Sequence, residues 1–500
     1  MKEIIYIQAG NLSNYTGTHF WNAQESYLPH TETDETIADA EISFSESVDA
    51  KSMSTLCPRL LMFDTKSNFG TLGGNNALGS IGEDAFEDSA SLWDGTSIEY
   101  RQVQIPKSDY QKIMEVSSSD IHGLSPETKA LGRTIRYWSD FSRVYYLPRS
   151  LQKLPDPLSW QETCVDWKEG QDIFNRYNEN SELMEGPLRQ LVEDCDNMQG
   201  IQIMNDTDTF GSFLSSFLSS FRDEYLKLPS LVFPLMAGVV SQNPDCDDTP
   251  NLRRFINEAL YLRTLNEFST LNVPIQPPSS WCNLMTDSLK FATTSVYHQS
   301  AILSAHIETC TLPLRLKPPQ QDLFGLSTQL NWRGSSPFAE LSGVFPFTSN
   351  SNFEDNLVNF SVDAPFKSST RYTWLDVTRG FSSMQIRAYE KWSSTQRSSS
   401  VAYGTSVHSI AYPLPSSFPA FTSDWPSPRP PYSEASSSLS TSRNLATLLE
   451  GYAMFIDKCV RRRTTSLASI DVSLDDLKEL ANDLWTMHDN SSAENDESST

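Results

Sequence analysis

The chain has 500 residues, 38% apolar and 11% aromatic, enough for a large buried core and two or three domains, which excludes a disordered polypeptide. Its 38 Lys+Arg against 63 Asp+Glu give a formal charge of −25, so the surface as a whole repels phosphate backbones and anionic lipid and disfavours direct nucleic-acid binding. Seven scattered cysteines with no C-x-x-C pair argue against a disulfide framework or a zinc site and fit a reducing compartment.

Lys2 and Glu3 lead straight into a strand pattern rather than a signal peptide, and early acidic residues with a first arginine at Arg59 make a poor mitochondrial presequence. Organelle association is therefore expected from outside the organelle or through partners. IIYIQ (4–8) reads as a buried strand that ends in a loop bearing Gly10, Asn14 and Gly17, with a helix-like segment to follow; a strand that breaks at glycine and restarts as a helix presents backbone N–H groups to an anion. RLLMFD (59–64) reads as a neighbouring buried strand, and the polar, acidic residues 30–54 between them as an inserted loop. Residues 80–97 form a second such insertion. The mixed spacing of Tyr137, Trp138, Phe141, Tyr145 and Tyr146 predicts core packing.

Residues 167–206 then predict helix, helix and strand. Phe210, Phe213, Leu214, Phe217, Leu218 and Phe221 follow the i, i+3, i+4, i+7 rule of an amphipathic helix. LVFPLMAGVV (231–240) is about half the ~20 residues a membrane helix needs, and Pro234 interrupts it, so it reads as a buried strand with its exit loop. The proline-rich VPIQPPSSW (273–281) marks a junction between an N-terminal domain, 1–272, and a second, 273–488. The second opens with a long helical pattern over 283–309, carries a Pro/Ser-rich loop over 412–438 expected outside any core, and closes with two helices. One of these has Leu445, Leu448, Leu449, Tyr452, Ile456 and Cys459 on a stripe, with Arg461, Arg462 and Arg463 complementing the dipole at its end. The other opens on Ser473 with Asp476 as a capping box. Residues 489–500 read as a disordered acidic tail. The alternation of strand and helix patterns predicts an α/β sheet covered by helices.

KEIIYIQAGNLSNYTG resembles the first strand and loop of tubulin, and CDNMQGIQ (195–202) the segment before its glycine-rich phosphate loop. GTHFWNAQESYL, PRLLMFDTKSNFGTLG, SDFSRVYYLPRSL, CDNMQGIQ with a later DEY, and HQSAILSAHIETCTLPLRL together resemble the Misato family of tubulin-related proteins, over about residues 1 to 317. The resemblance implies a tubulin/FtsZ-like fold: a Rossmann-like nucleotide-type domain, a second α/β domain and C-terminal helices. It also implies where a guanine nucleotide would lie. Gly10 and Asn11 stand in the first phosphate loop, Asp64 at an acidic position associated with magnesium, Gly73, Gly74, Asn75 and Asn76 where a third loop would be, and Gly211 and Ser212 in what is left of the fourth.

Several departures weaken that site. Lys66 stands where tubulins carry a carboxylate, and Gly73–Asn76 follows Asp64 so soon that a simple glycine turn is favoured. NDTDTFGSF replaces the glycine run, setting Asp206 and Asp208 beside a would-be triphosphate. Two unit charges about 4 Å apart at an effective dielectric of about 20 repel by about 4 kcal/mol, so tight GTP binding is disfavoured without magnesium. Asp322 lacks the asparagine that precedes the hydrolytic acid of polymerising relatives, and NEAL (257–260) only loosely resembles a base-recognition segment. The Walker-like run at Gly74 lacks its lysine, no H-E-x-x-H or G-x-S-x-G is present, and His298 and His306 read as packing or surface residues.

The weakened loops point to a non-catalytic or weakly nucleotide-binding protein that acts through its surfaces, and by resemblance the process is mitochondrial partitioning, distribution and morphology and inheritance of mitochondrial DNA, at the mitochondrial outer surface and in the cytoplasm. GTP is the one cofactor brought into view, and no metal site is expected. Partners would be proteins: tubulin, cytosolic chaperonin or mitochondrial surface factors. The alternatives are a GTP-binding, filament-forming GTPase and a tubulin- or chaperonin-associated adaptor.

Overall fold

The computed structural model describes residues 2–28, 36–48, 54–72, 105–116, 132–155, 166–238, 248–281, 295–319, 321–347, 356–362, 370–397, 403–419, 430–462 and 472–492. The first strand, β1 (Glu3–Ala9), is buried at every residue. It can be apolar on both faces because it is central, with β4 (Leu60–Thr65) and β6 (Met198–Asp206) paired parallel on either side. β5 (Leu151–Leu154), β7 (Ser230–Leu235) and β8 (Leu271–Asn272) extend the sheet in the order β5-β4-β1-β6-β7-β8. This is the doubly wound arrangement, whose strand order reverses between β1 and β6.

Side-chain alternation along β1 divides the core. Ile4 and Tyr6 face α1 (Asn11–Glu25), while Ile5, Ile7 and Ala9 face the opposite layer. That layer contains α2 (Trp167–Ser181), α3 (Thr207–Glu224) and α4 (Thr249–Phe268). The apolar stripe from Phe210 to Phe221 is fully buried there.

α5 (Val296–Thr311) packs on α1 and then against a second sheet, so one continuous core joins the two. α6 (Leu323–Leu330) adds to the same core. The second sheet runs β10 (Val358–Asn359), β9 (Glu340–Val344), β15 (Ala435–Thr441), β11 (Thr373–Arg379), β12 (Tyr403–Ser409). Only β11 and β12 are parallel, and their crossover carries α7 (Ser383–Thr395). α8 (Asn444–Arg462) and α9 (Leu474–Ser492) follow in sequence but pack back on α4 of the first sheet. Ser473 and Asp476 cap α9 reciprocally, and Arg461 and Arg462 lie in the last turn of α8.

A buried ionic cluster ties the layers together. Glu308 of α5 accepts from Arg379 of β11 at 2.8 Å, and from Gln24 and Tyr27 beside α1 at 3.0 and 3.1 Å; Arg315 lies 3.5 Å away. Gln24 and Tyr27 come from the end of α1 and the turn that follows it, Arg315 from the turn after α5 and Arg379 from β11, so the cluster fixes α1, α5 and β11 in one arrangement.

Four sequence expectations are corrected. The loop expected to carry Asn14 and Gly17 is confined to Gly10, because α1 already begins at Asn11, and both residues are buried in that helix. Residues 30–54 are not simply a loop: a short helix, Ala40–Ser43, leads into β2 (Phe44–Val48), which pairs antiparallel with β3 (Ser54–Pro58) and buries Ile42 and Phe44. Within 412–438, of which 420–429 lie outside the described residues, both flanks enter the core. β13 (Tyr412–Pro413) pairs with β14 (Tyr432–Ser433), Tyr412, Leu414 and Phe418 are buried, and β15 begins at Ala435. The first residues of the expected tail, 489–492, belong to α9, where the Ser491 hydroxyl meets that of Ser336 at 2.9 Å; residues 493–500 lie outside the described residues. Insertion 80–97 lies outside the described residues, as does the first part of the helical pattern at 283–309. Among the described residues Cys57, Cys195, Cys310 and Cys459 form no disulfide, and no helix is long and apolar enough to cross a membrane.

Candidate functional site

In a doubly wound sheet, ligands are held at the carboxyl ends of the strands where the order reverses. Here that crevice lies between the end of β1 and the end of β6. β1 turns into α1 through Gly10, whose φ of 106° few side chains tolerate; a Cβ there would also lie 2.6 Å from the Asp206 carboxylate. The N–H groups of Leu12 and Ser13, in the first turn of α1, have no acceptor within the helix. Both donate to Asp206, at 2.9 Å to Oδ2 and 2.8 Å to Oδ1. The Ser13 hydroxyl donates to the Met204 carbonyl at 2.7 Å, locking helix to strand. Two oxygens of one anion thus meet two amides at a helix N-terminus, as phosphate oxygens would.

Asp206 is the last residue of β6, and α3 starts at Thr207 with no loop between. Burial pushes its carboxyl up to about 7; the two amides oppose that, and nearby Asp64 and Asp208 add to it.

Asp64, at the end of β4, is also buried and fully engaged. Asn14 of α1 donates to its Oδ2 at 2.9 Å, while Asn68 and its neighbour's Thr65 N–H each donate to Oδ1 at 2.8 Å. Burial raises this carboxyl as well. Across the crevice Glu258 of α4 accepts from Thr207, Tyr452 and the Ala237 N–H at 2.6, 2.6 and 2.5 Å, linking α3, α4 and α8. Asp208 pairs with Arg254 at 3.3 Å. Every carboxylate around the crevice is therefore held by protein donors, and no group of three metal-ligating side chains occurs among the described residues.

Comparison with known sequences matches residues 2–116 to the Misato Segment II tubulin-like domain and residues 127–316 to a tubulin domain. Protein DML1 of Gibberella zeae is 34% identical over 351 residues, 68% of this chain and 67% of that protein. Protein dml1 of Aspergillus niger is 34% identical over 322 residues, 64% of this chain and 63% of its own length. Protein misato of Drosophila melanogaster is 28% identical over 357 residues, 64% of this chain and 61% of that protein. The chain belongs to the Misato/DML1 family. The match spans less than two thirds of the Aspergillus and Drosophila proteins.

Against the phosphate loops of a tubulin-like fold, this Misato/DML1 chain brings some expected residues together and disperses others. Gly10, Asn11 and Asp64 do meet at the strand ends, with Asn11 exposed as the first residue of α1. Gly211 and Ser212 do not line a loop. They lie in the second turn of α3 on its packing face, where Gly211 abuts Tyr261 and the Ser212 hydroxyl fills the space above Gly170. The run from Gly73 to Asn76 lies outside the described residues. Lys66 is exposed at the end of β4, near Lys153 of β5, whose ammonium burial and Lys66 together hold below its ordinary range.

Glu258 of NEAL is a buried structural acceptor. Asp322 caps α6 through the Gly325 N–H at 2.7 Å and pairs with Lys2, which precedes β1, so it sits at the opposite end of the sheet from Asp206. His306 is buried with Nδ1 2.8 Å from the Ser437 hydroxyl, and burial pushes its pKa down to about 3. Sequence reading placed Asp206 beside a ligand as a repelling charge; it did not place it on the α1 amides. The one local hint was an aspartate directly preceding an amphipathic helix.

Proposed function

We propose that this tubulin-related protein acts through its surfaces in mitochondrial partitioning, distribution, morphology and mitochondrial DNA inheritance, at the outer face of the organelle and in the cytoplasm, without turning over nucleotide. The observation that supports it most is the Asp206 carboxylate, bonded to the Leu12 and Ser13 amides where a nucleotide's phosphates would otherwise contact α1. A triphosphate must displace that carboxylate and then accept it, together with Asp64 and Asp208, as a neighbour. The process is the one implied by the resemblance of its sequence motifs to the Misato family; the filled crevice favours a scaffold over a GTPase.

Titrating the purified full chain with a fluorescent GTP analogue, with and without magnesium, tests this. No saturable binding in the micromolar range is expected, and micromolar magnesium-dependent binding with turnover overturns the reading. For the process itself, depletion in cells followed by imaging of mitochondria is expected to change their distribution; normal mitochondria and normal mitochondrial DNA segregation would contradict it.

A further inference from the structure

β12 is the last strand of the second sheet, and among the described residues no strand pairs with its far side. Two bonds fix which of its groups face out. The Tyr403 N–H donates to the Tyr372 carbonyl at 3.2 Å, and the Ser409 carbonyl accepts from the Gly380 N–H at 2.9 Å. With the in-register parallel pairing from Thr373↔Tyr403 to Arg379↔Ser409, odd-numbered residues bond β11. The N–H and C=O groups of Gly404, Ser406 and His408 therefore point to the open side.

Natural sheets blunt such edges with lysine, proline, a bulge or a covering element. β12 reads YGTSVHS over seven residues, with no lysine, no proline and no formal charge, and its pairing with β11 is unbroken. Large apolar side chains stand exposed at both ends, Tyr403 at 60% and Ile410 at 49%.

The charge beside the edge is mainly positive. Trp374 of β11 lies across Gly404, which a Cβ at that position would strike at 2.3 Å, and the Arg397 guanidinium stacks 4.7 Å above the indole. Arg397 is exposed and has no carboxylate partner among the described residues. α7 adds exposed Arg387 and Lys391; its Glu390 is 3.7 Å from His408. On a chain of net charge −25, this is a local cationic margin.

We propose that the free edge of β12 receives an acidic, extended segment of a partner protein as an added strand. Main-chain bonds to Gly404, Ser406 and His408 supply the affinity, Tyr403 and Ile410 take apolar side chains, and Arg397 selects carboxylates. The site is remote from the nucleotide crevice and independent of what that crevice binds.

The test uses the full chain and two fluorescein-labelled peptides, one alternating valine with glutamate and the other valine with lysine. Fluorescence anisotropy is expected to show saturable binding of the glutamate peptide only. Ser406→Pro, which removes an outward N–H and leaves the bonds to β11, and Arg397→Glu are each expected to weaken it about tenfold with the melting curve unchanged. Hydrogen exchange of the wild type is expected to slow at Gly404, Ser406 and His408 when the peptide is added. Absence of saturable binding, equal binding of the lysine peptide, or binding without protection at those amides overturns the proposal. Should Ser406→Pro fail to fold, Arg397→Glu and the exchange measurement decide.

Discussion

Replacing Asp206 by alanine removes the anion that occupies the α1 N-terminus and leaves Gly10, Leu12 and Ser13 in place. In the wild type an incoming phosphate must break two charge-assisted bonds, of 2.9 and 2.8 Å, to a carboxylate that stays nearby. Each such bond contributes about 1.5–3 kcal/mol, so the lower bound of the penalty is about 3 kcal/mol, or about two decades of affinity. Repulsion adds to this whenever Asp206 is ionised, and with its carboxyl near 7 that fraction rises steeply between about pH 6 and pH 8. Asp206→Ala is therefore expected to bind inorganic pyrophosphate about 100-fold more tightly than the wild type, with a larger advantage at about pH 8 than at pH 6. Isothermal titration calorimetry at both pH values measures this. Equal affinities in the two proteins at both pH values would refute the idea that Asp206 stands in for a phosphate.

The same carboxyl makes stability depend on pH. Its folded pKa of about 7 lies above the ordinary 3.8, so the native state binds the extra proton between those values and stability falls as pH rises through that window. Asp206→Asn is expected to flatten this fall, and urea unfolding at about pH 5 and pH 8 that gave the same difference in both proteins would count against it. Glu308→Ala leaves Arg379 and Arg315 buried without their carboxylate and is expected to cost about 3–5 kcal/mol, read from the denaturant midpoint. A loss below about 1 kcal/mol would mean that the cluster does not hold the two sheets together. Gly17→Ala drives a Cβ to within 2.1–2.3 Å of the Gln8 amide, so it is expected to lower stability by about 1–3 kcal/mol, against a near-neutral result if α1 stood clear of β1.

Much of the fold was legible because its signals are local. The apolar runs at 4–8, 59–64 and 231–235 mark buried parallel strands, the spacing from Phe210 to Phe221 marks one buried helix face, and Ser473 with Asp476 marks a helix start. Glycine at position 10 likewise announced a strand-to-helix junction. β15 was illegible for a physical reason. ASSSLST has the composition of a loop, yet its serines can be buried because distant residues complete their bonding: Ser438 donates to Asp376 at 2.6 Å and Ser437 meets His306 at 2.8 Å.

The sequence by itself determined the alternation of strands and helices around the first sheet, the family resemblance and the loss of the glycine-rich loop, since each is written in neighbouring residues. Only the tertiary structure decided what became of the vacated anion position. Asp206 and Leu12 are 194 residues apart, and nothing in either segment encodes their meeting. It follows from β6 pairing alongside β1, which carries the last residue of one strand to the unsatisfied amides of the helix that follows the other.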